Sequence, residues 1–193
     1  MSRQHTVHIL GYHGCDAAIG ARVLSGDAML PSERAHDWLG RGVYFWESDP
    51  QRALGWAEDK VRSGSFERPY VLGALIDLGN CLDLTTRENH EFLRIAYQGL
   101  VEDASKSGYP MPENKDASSD ANSDKLLRFL DCAVINYLHA MIAEGEQFEP
   151  FQTVRGLFVE GAEVYPGARF KNKTHTQIAV VDPSCIKAVF LPR

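Results

Sequence analysis

The stretch from Gly40 to Pro50 constrains the fold more than any other. Two glycines one residue apart, Gly40 and Gly42, feed Val43-Tyr44-Phe45-Trp46, and Asp49-Pro50 follows shortly after. Bulky and aromatic residues favour a strand, and Pro is favoured in the first turn of a helix behind an Asp cap. A strand must therefore leave a glycine turn and pass almost directly into a helix. That helix carries Ala53, Trp56, Ala57 and Val61 at helical spacing. Successive strand residues alternate faces, so Tyr44 and Trp46 share one face and Phe45 takes the other. A buried tyrosine hydroxyl wants a partner. An aromatic face beside open glycine backbone suits a flat ring ligand; an aromatic core strand has the same pattern.

The rest of the chain alternates similar signals. Residues 6–12 read as a strand running into a turn at Gly14. Asp16 is placed to cap a helix to Leu24, with Ala18, Ile19 and Val23 on one face. Residues 25–42 form a loop punctuated by Gly26, Pro31 and Gly40. Residues 70–78 (YVLGALIDL) are the clearest buried strand, with 80–84 after it and a helical pattern over 86–104. Residues 105–123 hold Pro110, Pro112 and many Ser, Asn and Asp, the composition of a mobile insert. Ser123 or Asp124 is then placed to cap a helix over 125–144, with apolar residues at Leu126, Leu127, Leu130, Val134, Leu138 and Met141. Three β-like runs close the chain at 153–159, 175–181 and 185–191. There is no internal repeat. The order predicts a mixed α+β fold, and 193 residues suit one domain over 1–193.

The net charge of −6 excludes the basic footprint of a protein that coats duplex nucleic acid. No apolar run approaches the roughly 18 residues that span a bilayer, and the first residues (MSRQHTVHIL) lack a secretory apolar core. A cytoplasmic protein with no membrane partner is expected. Cys15, Cys81, Cys132 and Cys185 show no paired spacing, so reduced, mostly buried thiols are expected. None of the seven histidines forms an i, i+4 pair, so no metal is implied.

Two further residues stand out. His13, at a strand end before Gly14, offers an imidazole beside an open backbone that a planar ligand can approach; a structural histidine fits the same position. In 174–182, His175, Gln177 and Ala179 share one strand face. A Gln in the middle of an apolar strand calls for a hydrogen-bond partner, whether in a ligand or in a structural bridge.

Taken together, Tyr12-His13-Gly14, Gly42-Val43-Tyr44-Phe45 with the helix behind it, and a late strand bearing Gln177 resemble ADP-ribosyltransferases of the diphtheria-toxin and poly(ADP-ribose) polymerase type. The nearest look is to small bacterial proteins with YHG followed by WLGxGVYFWE, some of them toxins of toxin–antitoxin or phage-defence systems. The likeness covers residues 8–60 well and 153–191 fairly. It implies a split, mainly antiparallel sheet with flanking helices and a central NAD⁺ cleft. It also implies that His13 bonds a ribose hydroxyl, that the Gly14 backbone pairs with the nicotinamide carboxamide, that Tyr44 stacks on the nicotinamide ring, and that Phe45 is among the cofactor-binding residues. Trp56 is the nearest candidate for a second stacking ring, although Gly55 holds the strictly aligned position. Arg52 replaces a helix serine and is suited to a phosphate.

The main departure is Gln177, where the resemblance implies a glutamate that stabilises the cationic ribose. Gln orients a hydroxyl but brings no charge. Glu160 and Glu47 are the candidates for the missing carboxylate. The loop 161–173, with Tyr165, Arg169, Phe170, Lys171 and Lys173, matches the region that contacts the acceptor. The expected activity is mono-ADP-ribosyl transfer from NAD⁺ to RNA, DNA or protein, possible toxicity being countered by an antitoxin partner. The alternatives are a silent NAD⁺ or ADP-ribose-binding module and an NAD⁺ glycohydrolase.

Overall fold

Strand β1 (His8–Asp16) pairs along its whole length with β3 (Pro69–Asp77), from His8↔Asp77 to Asp16↔Pro69. That ladder carries β1 past Gly14, where the sequence pattern had placed the turn. The other strands are β2 (Val43–Glu47), β4 (Cys81–Asp83), β5 (Thr153–Phe158), β6 (His175–Val180) and β7 (Ile186–Phe190). The structure, a computed structural model, describes residues 7–117, 123–145 and 147–192. All seven strands form one sheet in the order β4-β5-β6-β2-β1-β3-β7. Only β4 and β5 run parallel; every other neighbouring pair is antiparallel. The fold is thus α+β with a mostly antiparallel sheet.

The sheet is not divided as expected: all seven strands are joined in one sheet. The strands are continuous, but β1 and β2 are in register only at Gly11↔Glu47 and Tyr12↔Trp46. Continued, the same register would oppose His13 to Phe45 and then Gly14 to Tyr44. Instead the Tyr44 carbonyl accepts from His13 Nδ1 at 2.8 Å. A side chain stands where a ladder bond would be.

Local capping explains where the helices begin. In α1 (Ala17–Leu24), Asp16 accepts from Ala18 N at 2.9 Å. In α2 (Pro50–Arg62), Asp49 accepts from Arg52 N at 2.9 Å, with Pro50 in the first turn. Helix α3 (His90–Ser107) starts later than residue 86, because Asp83 holds the preceding turn: it accepts from Thr85 N and Oγ1, and its carbonyl accepts from Asn89 Nδ2. Helix α4 (Phe129–Glu144) also starts late. Its cap is Asn114, whose Oδ1 accepts from Leu130 N at 2.9 Å and from Asp131 N at 3.3 Å. Neither Ser123 nor Asp124 caps it. Of the expected 105–123 insert, Ser105 to Ser107 complete α3, and Lys115 pairs with Leu127 in both directions. Residues 118–122 lie outside the described residues.

Adjacent residues of β6 separate two cores. Ala179 faces Leu82, Val154, Val134, Ile135 and Leu138, the side covered by α3 and α4. Ile178 and Val180 face Phe45, Ala74, Ile76 and Cys185. Cys15, Cys132 and Cys185 are buried, and Cys81 is partly buried. Among the described residues, no helix is long and apolar enough to cross a membrane.

Candidate functional site

Tyr12, Trp46, Gln177 and Gly156 stand directly opposite one another across β1, β2, β6 and β5. Directly opposed residues share a face, so this row lies on the α3/α4 side of the sheet. Alternation puts Gly14, Tyr44, Ala179 and His175 on the same face. Helix α2 packs beside it, with Trp56 touching Trp46 at 5.7 Å between ring centroids. The face is therefore flanked by α2 on the β1 side and by α4 and the loop before β2 on the β6 side.

Gln177 is 8% exposed. Its Oε1 accepts from the Trp38 indole N–H at 2.6 Å. Trp38 lies over Gly156, where an added Cβ would come within 2.7 Å of the ring. It also meets Phe158 edge-on at 4.9 Å. One lone pair of the Gln177 carbonyl oxygen is thus used within the fold, and its N–H groups remain for a ligand.

Glu160, a sequence candidate for the missing carboxylate, is 7% exposed. It pairs with the Arg52 guanidinium, which also lies over the Trp46 ring at 5.7 Å. His175 Nδ1 is 3.7 Å from the same carboxylate, and donates to the Lys173 carbonyl at 2.6 Å. Burial lowers the His175 pKa below its ordinary value, so the ring is neutral. Phe158 stacks on His175 at 5.7 Å, and the Arg128 guanidinium lies 4.8 Å from the other ring, Phe158. Around this group, Trp46 Nε1, Arg52 Nε, Arg128 Nε and Thr174 Oγ1 are buried with no partner. Buried polar groups are normally paired, and here the unpaired ones are donors. Glu47, the other carboxylate considered, is held by Arg155 at 2.6 and 3.0 Å.

His13 and Tyr44 meet through the backbone at the seam. Burial holds the His13 pKa down. With Nδ1–H donated to a carbonyl, the neutral ring keeps its Nε2 lone pair. The Tyr44 hydroxyl donates to the Gly40 carbonyl at 2.8 Å and accepts from Leu39 N at 2.9 Å, and burial pushes its pKa up. Phe45 is fully buried on the opposite face; it is a core residue and no pocket wall, a correction to its sequence-based assignment. Gly14 lies against α2, with the Trp56 ring 3.3 Å from an added Cβ. The structure thus brings Gly14 and Trp56 together, and Gln177 and Trp46, with His13 at the seam between β1 and β2.

In the loop 161–173, Tyr165, Arg169 and Phe170 are exposed, whereas the Lys171 ammonium pairs with Asp124. Arg128 was not singled out from sequence; Trp38 and His175 were named only within their motifs, and Asp124 only as a helix cap. The need of Gln177 for a partner was visible, but the identity of that partner was not. Among the described residues, no group of three or more His, Cys, Asp or Glu is placed to hold a metal ion.

An uncharacterized protein of Methanocaldococcus jannaschii is 25% identical over 196 residues, which cover 91% of this chain and 83% of the archaeal protein. No model of a known protein family matches the chain, and no solved structure matches it.

Proposed function

We propose that this protein cleaves NAD⁺ at the nicotinamide–ribose bond and transfers ADP-ribose to a macromolecular acceptor. The observation that carries the reading is the sheet face shared by Tyr44, Trp46, His175 and Gln177, with one buried carboxylate, Glu160, against it and the β1–β2 seam at its edge. Trp56, packed over Gly14, offers a ring to stack on nicotinamide. The His13 Nε2 lone pair suits a ribose hydroxyl. The unpaired donors of Trp46, Arg52 and Thr174 fit an anionic, acceptor-rich group such as a diphosphate.

In this reaction the C1′–N bond breaks and its electron pair leaves on nicotinamide. The acceptor oxygen or nitrogen then bonds C1′, and its proton passes to solvent. Glu160 takes the part that the resemblance implies for residue 177: its charge stabilises the cationic ribose in a buried, pre-arranged setting. Gln177, its oxygen committed to Trp38, orients the ligand through its N–H groups. That same commitment favours a second reading, a silent NAD⁺-binding module.

The test incubates purified protein with NAD⁺ labelled in its adenylate portion, with and without cell lysate. The expected result is released nicotinamide and label in macromolecules, with Glu160→Gln slowing release about 10²–10³-fold. A melting curve for this variant checks that it folds. Free ADP-ribose without transfer would identify a glycohydrolase. NAD⁺ binding without release would identify the binding module. Neither binding nor release overturns both readings. If the protein is a toxin, strong induction arrests bacterial growth and His13→Ala relieves the arrest; normal growth of the wild type rejects that role and the need for an antitoxin.

A further inference from the structure

Residues 163–171 fold back on themselves as a finger shortly before β6. Glu163 bridges to Lys171, and Val164 N donates to the Phe170 carbonyl at 3.0 Å. The tip, Tyr165-Pro166-Gly167-Ala168, is a turn closed by Ala168 N on the Tyr165 carbonyl at 2.9 Å, with Gly167 at φ 81°. Pro followed by a positive-φ Gly is the pattern that stiffens such turns. The Glu163 carboxylate accepts from Gly167 N at 2.8 Å. At the root, Asp124 accepts from Gly161 N at 2.7 Å and pairs with Lys171. The finger is shaped by its own bonds and anchored to the segment before α4.

Its surface is unlike that of an ordinary solvated turn. Phe170 is 71% exposed and Tyr165 58% exposed. Arg169, next to Phe170, and Lys173 at the root pair with no carboxylate among the described residues. The one carboxylate within the finger, Glu163, is used to hold the tip. In a protein of net charge −6, residues 161–173 thus carry three cations, Arg169, Lys171 and Lys173, against the one carboxylate of Glu163, and they present two bare rings beside the exposed Val164. Isolated rings flanked by cations suit successive bases, each with a π-face, joined by phosphates.

We infer that this finger binds single-stranded nucleic acid, Tyr165 and Phe170 stacking on bases while Arg169 and Lys173 meet the backbone. Binding stands by itself; that the bound strand is the ADP-ribose acceptor rests on the transferase reading. The experiment measures fluorescence anisotropy of a labelled uridine oligonucleotide, its thymidine counterpart and a duplex, over a range of salt. At least one single strand is expected to bind better than the duplex, and the two single-strand arms tell RNA from DNA. Tyr165→Ala and Phe170→Ala are each expected to weaken binding about 5- to 100-fold. Arg169→Ala is expected to reduce the salt slope by about 0.7. All three side chains are exposed, and unchanged melting confirms folding.

No binding at low salt, duplex binding as tight as single-strand binding, or variants with wild-type affinity overturns the inference. Oligonucleotide binding without nicotinamide release keeps the finger and rejects the transferase. Nicotinamide release with all label in protease-sensitive, nuclease-resistant material keeps the transferase and rejects the finger as acceptor site.

Discussion

Trp38 and Gln177 hold each other, and this pair decides what the β6 face offers a ligand. Trp38→Phe keeps most of the ring but strips the donor, so Gln177 Oε1 is left buried and unpaired. The cost expected is about 1–3 kcal/mol in urea unfolding. Adding Gln177→Leu to Trp38→Phe is expected to recover part of that loss, because removing both partners spares the unpaired group its desolvation penalty. A Trp38→Phe protein as stable as the wild type would mean that water replaces the indole. The demand for this bond was legible in the sequence: a Gln amid HTQIAV needs a partner. The supplier was not, since it lies 139 residues away. Glu160 was visible as a candidate carboxylate, but its partner was hidden for the same reason: Arg52 lies 108 residues away. The sequence also showed Tyr44 needing a hydroxyl partner, and here the partner was close, in Gly40 and Leu39.

Helix α2 can dock on β1 only because residue 14 has no side chain. A Cβ there would fall on the Ala53 carbonyl oxygen, which is backbone and cannot swing aside. Gly14→Ala is expected to lift α2, to cost about 1–3 kcal/mol, and to change tryptophan fluorescence through Trp56. Gly55 on the same helix meets nothing within 4 Å, so Gly55→Ala is expected to raise stability by about 0.5–1 kcal/mol. Equal melting temperatures for the two variants would contradict this account of the helix seat. The contrast also explains which elements were readable. Helices α1 and α2 begin at Asp16 and Asp49, caps next to them in sequence. Helix α4 begins where Asn114 places it, and Asp124, the apparent cap, is spent on Gly161 and Lys171. The parallel β4–β5 pair left no local signal, because its partners are separated by two helices.

Across the whole molecule, three histidines sit in unrelated places and respond to acid alike. His13 lies at the β1–β2 seam, His139 on α4 against Phe151 at 6.4 Å, and His175 in the β6 cluster. Burial lowers the pKa of each below 6.5. Around His175 the Arg52 guanidinium adds to that effect, while Glu160 and Asp49 oppose it. Each ring is neutral in the fold and binds a proton more readily when the chain unfolds. The stability this contributes is fully present above pH 6.5 and is lost as pH falls below it. The depressed carboxylates, Asp16, Asp83, Asp116, Asp124 and Asp182, start from 3.8, so their contribution fails only in stronger acid. The window between pH 6.5 and pH 4 therefore belongs to the histidines. Melting temperature is expected to fall steadily across that window, and the fall is expected to be shallower in His139→Leu. That variant removes a buried Nε2 that has no partner and leaves both strand histidines in place. A melting temperature flat from pH 6.5 to pH 4, or a wild-type slope in His139→Leu, would show that these rings accept protons without opening the fold.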